Sequence, residues 1–308
     1  MRGYEELRHA IGAYRLPRDV VAVGGPDAPA YLQGQLSQDV EPLVAGAAAD
    51  ALVLEPDGKL TALVRVTRTE DGYLLDTARG WGEAVLERLR RFRLRTKVEL
   101  ELREWACVAL RGAGVAAGAL GGPAPPWVLP VDWNGTSGAD LLGPGAEERV
   151  PGGAVWCDDA AWEALRIEAG IPVMGRELDR RTIAAEAHLV ARAVSLTKGC
   201  YTGQELVARL DARGSRVARR LCGVVADGFY PQAASELVGG SLWAGSERDR
   251  AAGRCTSASW CPGVGAVAGL AYVHRSVELP AVLVWEPESG DDAAGRELRA
   301  LPLPLVAG

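Results

Sequence analysis

Lys198-Gly199-Cys200-Tyr201-Thr202-Gly203-Gln204-Glu205 is the stretch of this sequence that decides its fold, and Leu206-Val207-Ala208-Arg209 follows it. Leu206 and Leu210 have the spacing of one helical face, which predicts a helix that starts near Cys200. A helix N-terminus favours the thiolate form of a cysteine, and the ammonium of Lys198 adds a full charge two residues away. The pattern therefore predicts a reactive cysteine. The alternative is that Cys200 packs under the helix start while Lys198 points to water.

A second informative run is Trp162-Glu163-Ala164-Leu165-Arg166-Ile167-Glu168-Ala169-Gly170-Ile171-Pro172. It predicts a helix that is capped by Asp158 or Asp159 and stopped by Gly170. Glu168 falls on the last turn at the edge of the apolar stripe, where the helix dipole does not stabilise a carboxylate. It needs a partner, which is either a nearby arginine such as Arg166 or a ligand with two adjacent N–H donors, such as the amidine edge of a pterin.

Together the two runs resemble the YgfZ family of folate-binding proteins, which are relatives of the glycine-cleavage aminomethyltransferase (T-protein). The resemblance rests on Arg-Ile-Glu-Ala-Gly-Ile-Pro at 166–172, on the motif at 198–205 and on Val-Ala-Arg at 207–209. The stretches 31–40 and 300–304 are similar to the family's opening helix and closing segment, so most of the chain is covered. The resemblance implies an α+β fold: a cloverleaf of two antiparallel α+β lobes and a C-terminal β-barrel around a central hole that holds tetrahydrofolate.

The resemblance also implies roles for individual residues. Glu168 would bind the pterin, and Cys200 with Lys198 would form the reactive, catalytic group. Further residues would shape the folate site: Tyr201, Gly203, Gln204, Glu205 and Arg209.

One position departs from the aminomethyltransferase pattern. Those enzymes carry Gly-Gly-x-x-Asp-Asp on an early hairpin, with the second aspartate catalytic. Here the hairpin reads Asp57-Gly58-Lys59-Leu60-Thr61-Ala62, so Ala62 stands in place of that acid. This argues against aminomethyl transfer and agrees with the YgfZ branch, which is associated with folate-dependent maintenance of iron–sulfur enzymes, including one that thiomethylates tRNA.

Three functions follow as alternatives. The first, which we expect, is a tetrahydrofolate-binding accessory protein in iron–sulfur enzyme assembly or repair, whose partners are folate and iron–sulfur proteins. The second is a folate-dependent one-carbon transferase that uses a base other than the missing aspartate. The third is an interaction protein that has lost folate, against which the intact cysteine motif argues. Whether the chain is an enzyme is left open.

The pattern of periodic segments predicts three parts. Residues 1–96 form a first α+β lobe, 97–214 a second α+β lobe with both motifs, and 215–308 a β-barrel, and the lobes can exchange segments. The expected elements of the first lobe are a helix over 27–40, a hairpin of strands 50–54 and 59–66, a strand over 73–76 and a basic helix over 77–94. The arginines of the basic helix, Arg88 among them, are expected on a solvated face.

Composition excludes several classes of function. The 308 residues hold 40 acids and 34 bases, a net charge of −6, so no direct nucleic-acid binding is expected. The acidic amino terminus lacks a signal-peptide pattern, and no apolar run is long enough to cross a bilayer, so we expect a cytoplasmic monomer without a membrane segment. Six cysteines and three histidines show no metal-ligand spacing, so no metal site is expected; His188 is either a surface or core residue or a neighbour of the folate.

Overall fold

The computed structural model describes residues 1–116, 118, 120, 125–212, 214, 216–245, 251–288 and 295–306. The helices are α1 (Tyr4–His9), α2 (Ala28–Gln35), α3 (Gly82–Arg91), α4 (Asp159–Ala169), α5 (Val190–Ala193) and α6 (Gln204–Asp211). The strands are β1 (Gly12–Arg15), β2 (Arg18–Gly24), β3 (Ala48–Leu54), β4 (Leu60–Arg68), β5 (Gly72–Ala78), β6 (Glu99–Arg103), β7 (Cys107–Arg111), β8 (Trp127–Trp133), β9 (Thr136–Leu142), β10 (Val155–Trp156), β11 (Arg219–Ala226), β12 (Ser241–Trp243), β13 (Gly253–Cys261), β14 (Ala266–His274), β15 (Ala281–Glu286) and β16 (Arg296–Leu301).

The first sheet is antiparallel, with the strand order β3-β4-β5-β2-β6. The predicted hairpin is confirmed: Gly58, at φ 81°, closes the turn by donating its N–H to the carbonyl of Glu55 (2.8 Å). The basic helix is shorter than predicted, because residues 77 and 78 still belong to β5 and α3 begins at Gly82. The expectation for Arg88 is wrong, since this arginine is 1% exposed.

Helix α2 is also shorter than predicted. It begins after Asp27 as expected but ends at Gln35, because Leu36 is extended and forms an isolated bridge with Val53 of β3. The chain from there to Val40 is therefore held against the first sheet instead of continuing the helix.

The second sheet has the order β10-β1-β7-β9-β8, in which β10 runs parallel to β1 and the other pairs are antiparallel. Strand β1, from the amino-terminal segment, lies in this sheet, whereas β6, which follows residue 97, lies in the first. The two sheets thus exchange segments, and the boundaries at 96/97 and 214/215 stay a prediction.

The barrel closes in the order β11-β14-β13-β12-β15-β16. Its own apolar core includes Val224, Leu242, Trp285 and Leu298. The α+β class and the C-terminal barrel predicted from the sequence are confirmed. Within the described residues, no helix has the length and apolar character required to span a bilayer.

Candidate functional site

A cavity of about 830 Å³ lies where the two sheets, the end of α4 and the barrel meet. Drug-sized and cofactor ligands occupy pockets of roughly 300–1,000 Å³, so a folate-sized molecule fits this volume. The carboxyl-terminal end of α4 contributes Gly170 and Ile171, and Leu221 comes from β11. The cavity is lined by charged, imidazole and amide side chains from all of these parts: Arg18, Asp50, Arg65, Asp132, Asn134, Asp140, His188, Arg192 and Arg220.

A buried charge network joins the two sheets beside this cavity. Arg18 of β2 and Arg65 of β4 both bond Asp76 of β5, at 2.7 and 3.0 Å. Arg65 also donates to Asp140 of the second sheet (2.6 Å), which accepts from Arg111 of β7 as well (2.8 Å). Burial alone would raise the pKa of Asp140, but Arg111 and Arg65 lower it to about 2. Three guanidinium groups against two carboxylates leave this region positively charged.

This network was not predicted from the sequence. The available signal was the presence of charged residues inside runs that otherwise read as buried strands, such as Arg65 and Asp140.

An aromatic cluster forms part of the cavity wall. Trp162 of α4 stacks on Tyr14 of β1, with ring centroids 4.6 Å apart and an interplanar angle of 9°. Trp133 of β8 lies tilted against Trp162 at 4.9 Å, and both indoles line the cavity. The guanidinium of Arg111 sits 4.5 Å from the centroid of Trp133. This wall offers flat apolar surface to a planar ligand.

Helix α4 forms as predicted and positions Glu168. The side chain of Asp158 accepts from the N–H of Ala161 at the helix start, and Gly170, at φ 71°, ends the helix. The carboxylate of Glu168 is fully buried and accepts from the hydroxyl of Tyr4 (2.6 Å) and the N–H of Gly263 (2.9 Å).

Glu168 is not among the residues that line the cavity. A guanidinium nitrogen of Arg8 lies 3.6 Å from the carboxylate of Glu168. Burial raises the pKa of Glu168, and this effect outweighs the opposing effects of Tyr4, Gly263 and Arg8. Its partners are therefore a tyrosine, a backbone amide and an arginine from outside α4. They are not Arg166.

Arg166 instead ties α4 to the barrel. It is 1% exposed and donates to Glu163 (3.0 Å) and to Glu177 (3.0 Å). The other oxygen of Glu177 accepts from the hydroxyls of Thr256 (2.9 Å) and Ser257 (2.8 Å) of β13. This set of bonds fixes the segment after α4 that forms one side of the cavity.

The Cys200 segment differs from its predicted local structure. Helix α6 begins at Gln204, after Gly203 at φ 84°, so Cys200 precedes the helix by a turn and the predicted helix start near Cys200 is wrong. Cys200 is exposed, whereas Cys157 is half-buried and the other four cysteines are buried. The N–H of Tyr201 is bonded by the side chain of Gln204 (3.1 Å), which closes the turn ahead of the helix.

Lys198 neither points to water nor pairs with Cys200 in the structure. Its ammonium donates to the carbonyls of Gln33, Leu36 and Gln38 at 2.7, 2.8 and 2.8 Å. Burial lowers the pKa of Lys198 to about 8, against the opposing effect of Asp39 and of Glu41. Cations are favoured at the carboxyl end of a helix, and these carbonyls lie at and just beyond the end of α2. Lys198 therefore anchors the Cys200 segment to α2.

Gly203 explains why the motif needs a glycine at its sixth position. A Cβ added there would lie 2.5 Å from the carbonyl oxygen of Glu55 and 3.4 Å from the Cα of Gly58. The motif therefore packs directly on the turn of the first-sheet hairpin. The side chains of Glu205 and Arg209 are exposed on α6.

The structure does not bring the two motifs into one site. Neither Glu168 nor any residue from 198 to 209 lines the cavity. Of the candidates weighed from the sequence, His188 does line the cavity. Its backbone is left-handed, at φ 58°, and its Nε2 bonds the carbonyl of Leu221 at 2.9 Å.

Comparison with proteins of known sequence identifies relatives. The chain is 30% identical over 216 residues to the tRNA-modifying protein YgfZ of Klebsiella pneumoniae, covering 64% of this chain and 66% of the relative. It is 31% identical over 215 residues to the protein of the same name in Edwardsiella ictaluri, covering 63% and 65%. The chain is a homologue of the YgfZ proteins. An uncharacterized protein of Haemophilus influenzae is 32% identical over 199 residues, covering 64% of this chain and 67% of that protein.

These matches confirm the resemblance to YgfZ that the two motifs indicated. The matched stretch spans about two thirds of the length of the YgfZ relatives, and no family model matches the chain. Among solved structures, the glycine cleavage system aminomethyltransferase T of Bartonella henselae superposes with a TM-score of 0.82 at 20% identity, covering 99% of this chain and 89% of that one. The aminomethyltransferase-like fold expected for a YgfZ homologue is thus confirmed.

Proposed function

We propose that this chain binds tetrahydrofolate, or a one-carbon derivative, in the central cavity and acts as an accessory protein for iron–sulfur enzymes, including those that thiomethylate tRNA. The observation that carries the proposal is the cavity of about 830 Å³ between the two sheets, α4 and the barrel. Its aromatic wall and its arginines suit a ligand with a flat ring at one end and carboxylates at the other. The YgfZ homology and the aminomethyltransferase T fold support this choice.

The cavity residues fit the pterin. Its amidine edge needs a carboxylate with a free oxygen, and Asp132 of β8 has one: Oδ1 accepts from the N–H of Gly135 (2.7 Å), and among the described residues no donor bonds Oδ2. Asp132 is exposed at the cavity, and Trp133, which also lines it, offers a ring to the flat pterin. Glu168 is fully buried, its oxygens accept from Tyr4 and Gly263, and it does not line the cavity. Direct pterin binding by Glu168 stays a prediction, and Asp132 is the carboxylate that we favour.

Cys200 is proposed as the reactive group that faces the client protein. Its thiol is exposed at the surface, and Lys198 and Gly203 hold the loop on which it sits. We propose that the neighbouring motif residues position Cys200. That they contact folate stays a prediction for all five: Tyr201, Gly203, Gln204, Glu205 and Arg209.

Ala62 separates this proposal from the one-carbon transferase. It is fully buried in β4 opposite Val53, and the neighbouring Thr61 bonds Glu55 at 2.9 Å. No carboxylate occupies the position where the aminomethyltransferase pattern has its catalytic aspartate. The accessory function therefore agrees better with this chain than aminomethyl transfer.

A complementation experiment tests the accessory function. The chain is expressed in a bacterium that lacks its own YgfZ protein, and thiomethylated nucleosides in tRNA are measured by mass spectrometry. We expect wild type and Cys157→Ser, a half-buried control thiol, to restore thiomethylation, and Cys200→Ser to fail. Failure of well-expressed wild type would contradict the function. Equal restoration by both variants would contradict the assignment of Cys200.

A further inference from the structure

Arg220 of β11 differs from the other arginines that line the cavity. Arg18 and Arg65 are paired with Asp76, and Arg192 with Asp50. Within the described part of the chain, Arg220 has no carboxylate within ion-pair distance. Its Nη2 donates to the carbonyl of Val277, and its Nε is buried without a hydrogen-bond partner. A guanidinium in such a position is incompletely satisfied, because its charge and one of its donors lack an acceptor.

An imidazole lies beside Arg220 on the same side of the cavity. His188 is fixed to β11 by the bond between its Nε2 and the carbonyl of Leu221, the residue next to Arg220. A carbonyl only accepts, so Nε2 is the donor in this bond. The β11 side of the cavity, with Arg220 and His188, thus differs from β8, which contributes Asp132 and Trp133.

We propose that Arg220 binds the carboxylates of the ligand's glutamate, so that a pteroylglutamate lies with its pterin toward β8 and its glutamate toward β11. This inference rests on the proposed function. A carboxylate supplies the two parallel acceptors that match a guanidinium fork, and it would satisfy the donors and charge of Arg220 together. The cavity therefore selects ligands that carry an anionic tail over the bare pteroate.

Calorimetric titration of the full chain with two probes, tetrahydrofolate and tetrahydropteroate, tests the inference. The second probe lacks the glutamate. We expect Arg220→Gln to weaken tetrahydrofolate binding by about tenfold or more, the usual loss for a hydrogen bond to a charged group, and to leave tetrahydropteroate binding unchanged. Arg299→Gln is the matched control, because Arg299 pairs with Asp227 on the barrel and does not line the cavity.

The outcomes separate the inference from the function on which it rests. Equal weakening of both probes, or no weakening of either, overturns the role of Arg220 and leaves folate binding standing. A wild-type chain that binds neither probe contradicts the proposed function itself. If Arg220→Gln fails to fold, Arg220→Lys takes its place: it keeps the charge but loses the fork, and tetrahydrofolate binding should still weaken relative to tetrahydropteroate.

Discussion

Lys198 shows why one side chain of the motif must be a lysine. Its three carbonyl acceptors, on Gln33, Leu36 and Gln38, converge on one nitrogen. An ammonium has three donors on a single atom, whereas the planar fork of an arginine spreads its donors over three nitrogens. In a chain whose bases are almost all arginine, this geometry explains the lysine. The role of Lys198 as an activator of the thiol stays a prediction.

The exposure of Cys200, and not a position at a helix start, predicts that its thiol is reactive. Cys200 is exposed, whereas burial raises the pKa of Cys107, Cys222 and Cys255 to about 12 and that of Cys157 to about 11. Thiolate is the species that alkylates, so we expect iodoacetamide to modify Cys200 first at neutral pH. Mass spectrometry after short exposure measures the order. Modification of Cys157 before Cys200 would contradict the exposed position of the loop.

At the scale of elements, the contact between the Cys200 loop and the hairpin turn depends on two glycines with positive φ. Gly203 and Gly58 lie so close that neither has room for a side chain, since a Cβ on Gly58 would lie 2.5 Å from the Cβ of Leu206. Helix α6 is thus held to the first sheet by backbone packing at its start. Sequence periodicity detects the helix but not this contact, which is why the start was predicted near Cys200.

Gly203→Ala tests this contact. We expect the free energy of unfolding to fall by about 1–3 kcal/mol, because the left-handed backbone and the carbonyl of Glu55 both oppose a Cβ. Gly199→Ala is the control, since an added Cβ there meets nothing within 4 Å and φ is not positive. Urea unfolding of both variants gives the comparison. Equal stability of the two would show that the loop does not pack on the turn as described.

At the scale of the whole molecule, the bond between Arg65 and Asp140 is a charged link between the two sheets. Removing one partner of a buried pair leaves an uncompensated charge, so we expect Asp140→Asn to cost about 3–5 kcal/mol at neutral pH. Asp227→Asn, which breaks an exposed pair with Arg299, should cost about 0–1 kcal/mol. Urea unfolding measures both losses.

The Arg65–Asp140 pair also predicts how the stability of the protein changes in acid. The folded pKa of Asp140 is about 2, below its ordinary value of 3.8, so its contribution to stability is complete above pH 3.8 and is lost as the pH falls through about 2. The difference in the free energy of unfolding between wild type and Asp140→Asn should therefore become smaller as the pH falls from 3.8 to about 2. A gap that stays constant from neutral pH to pH 2 would contradict the depressed pKa.

The structural features that the sequence predicts correctly are those set by residues close to one another along the chain. Helix α4 with its cap at Asp158 and its stop at Gly170, the hairpin that contains Ala62 and the β-barrel of the carboxyl-terminal part follow from local spacing and turn residues. The exchange of β1 and β6 between the sheets depends on strand order. The partners of Lys198 and Glu168 come from residues at least 95 positions away along the chain. Periodicity carries no information about such contacts, so they determine the position of the site without leaving a local pattern in the sequence.

The occupancy of the cavity by tetrahydrofolate is tested most directly by calorimetric titration of wild type, Ala49→Trp and Val282→Trp. Ala49 lines the cavity, so an indole there would fill part of the ligand's volume, whereas Val282 is 60% exposed on the barrel and serves as the control. We predict that wild type and Val282→Trp bind tetrahydrofolate with the same affinity and that folded Ala49→Trp loses binding by at least about tenfold, or 1.4 kcal/mol. Absence of binding to wild type, or equal binding by all three proteins, would contradict a folate site in this cavity.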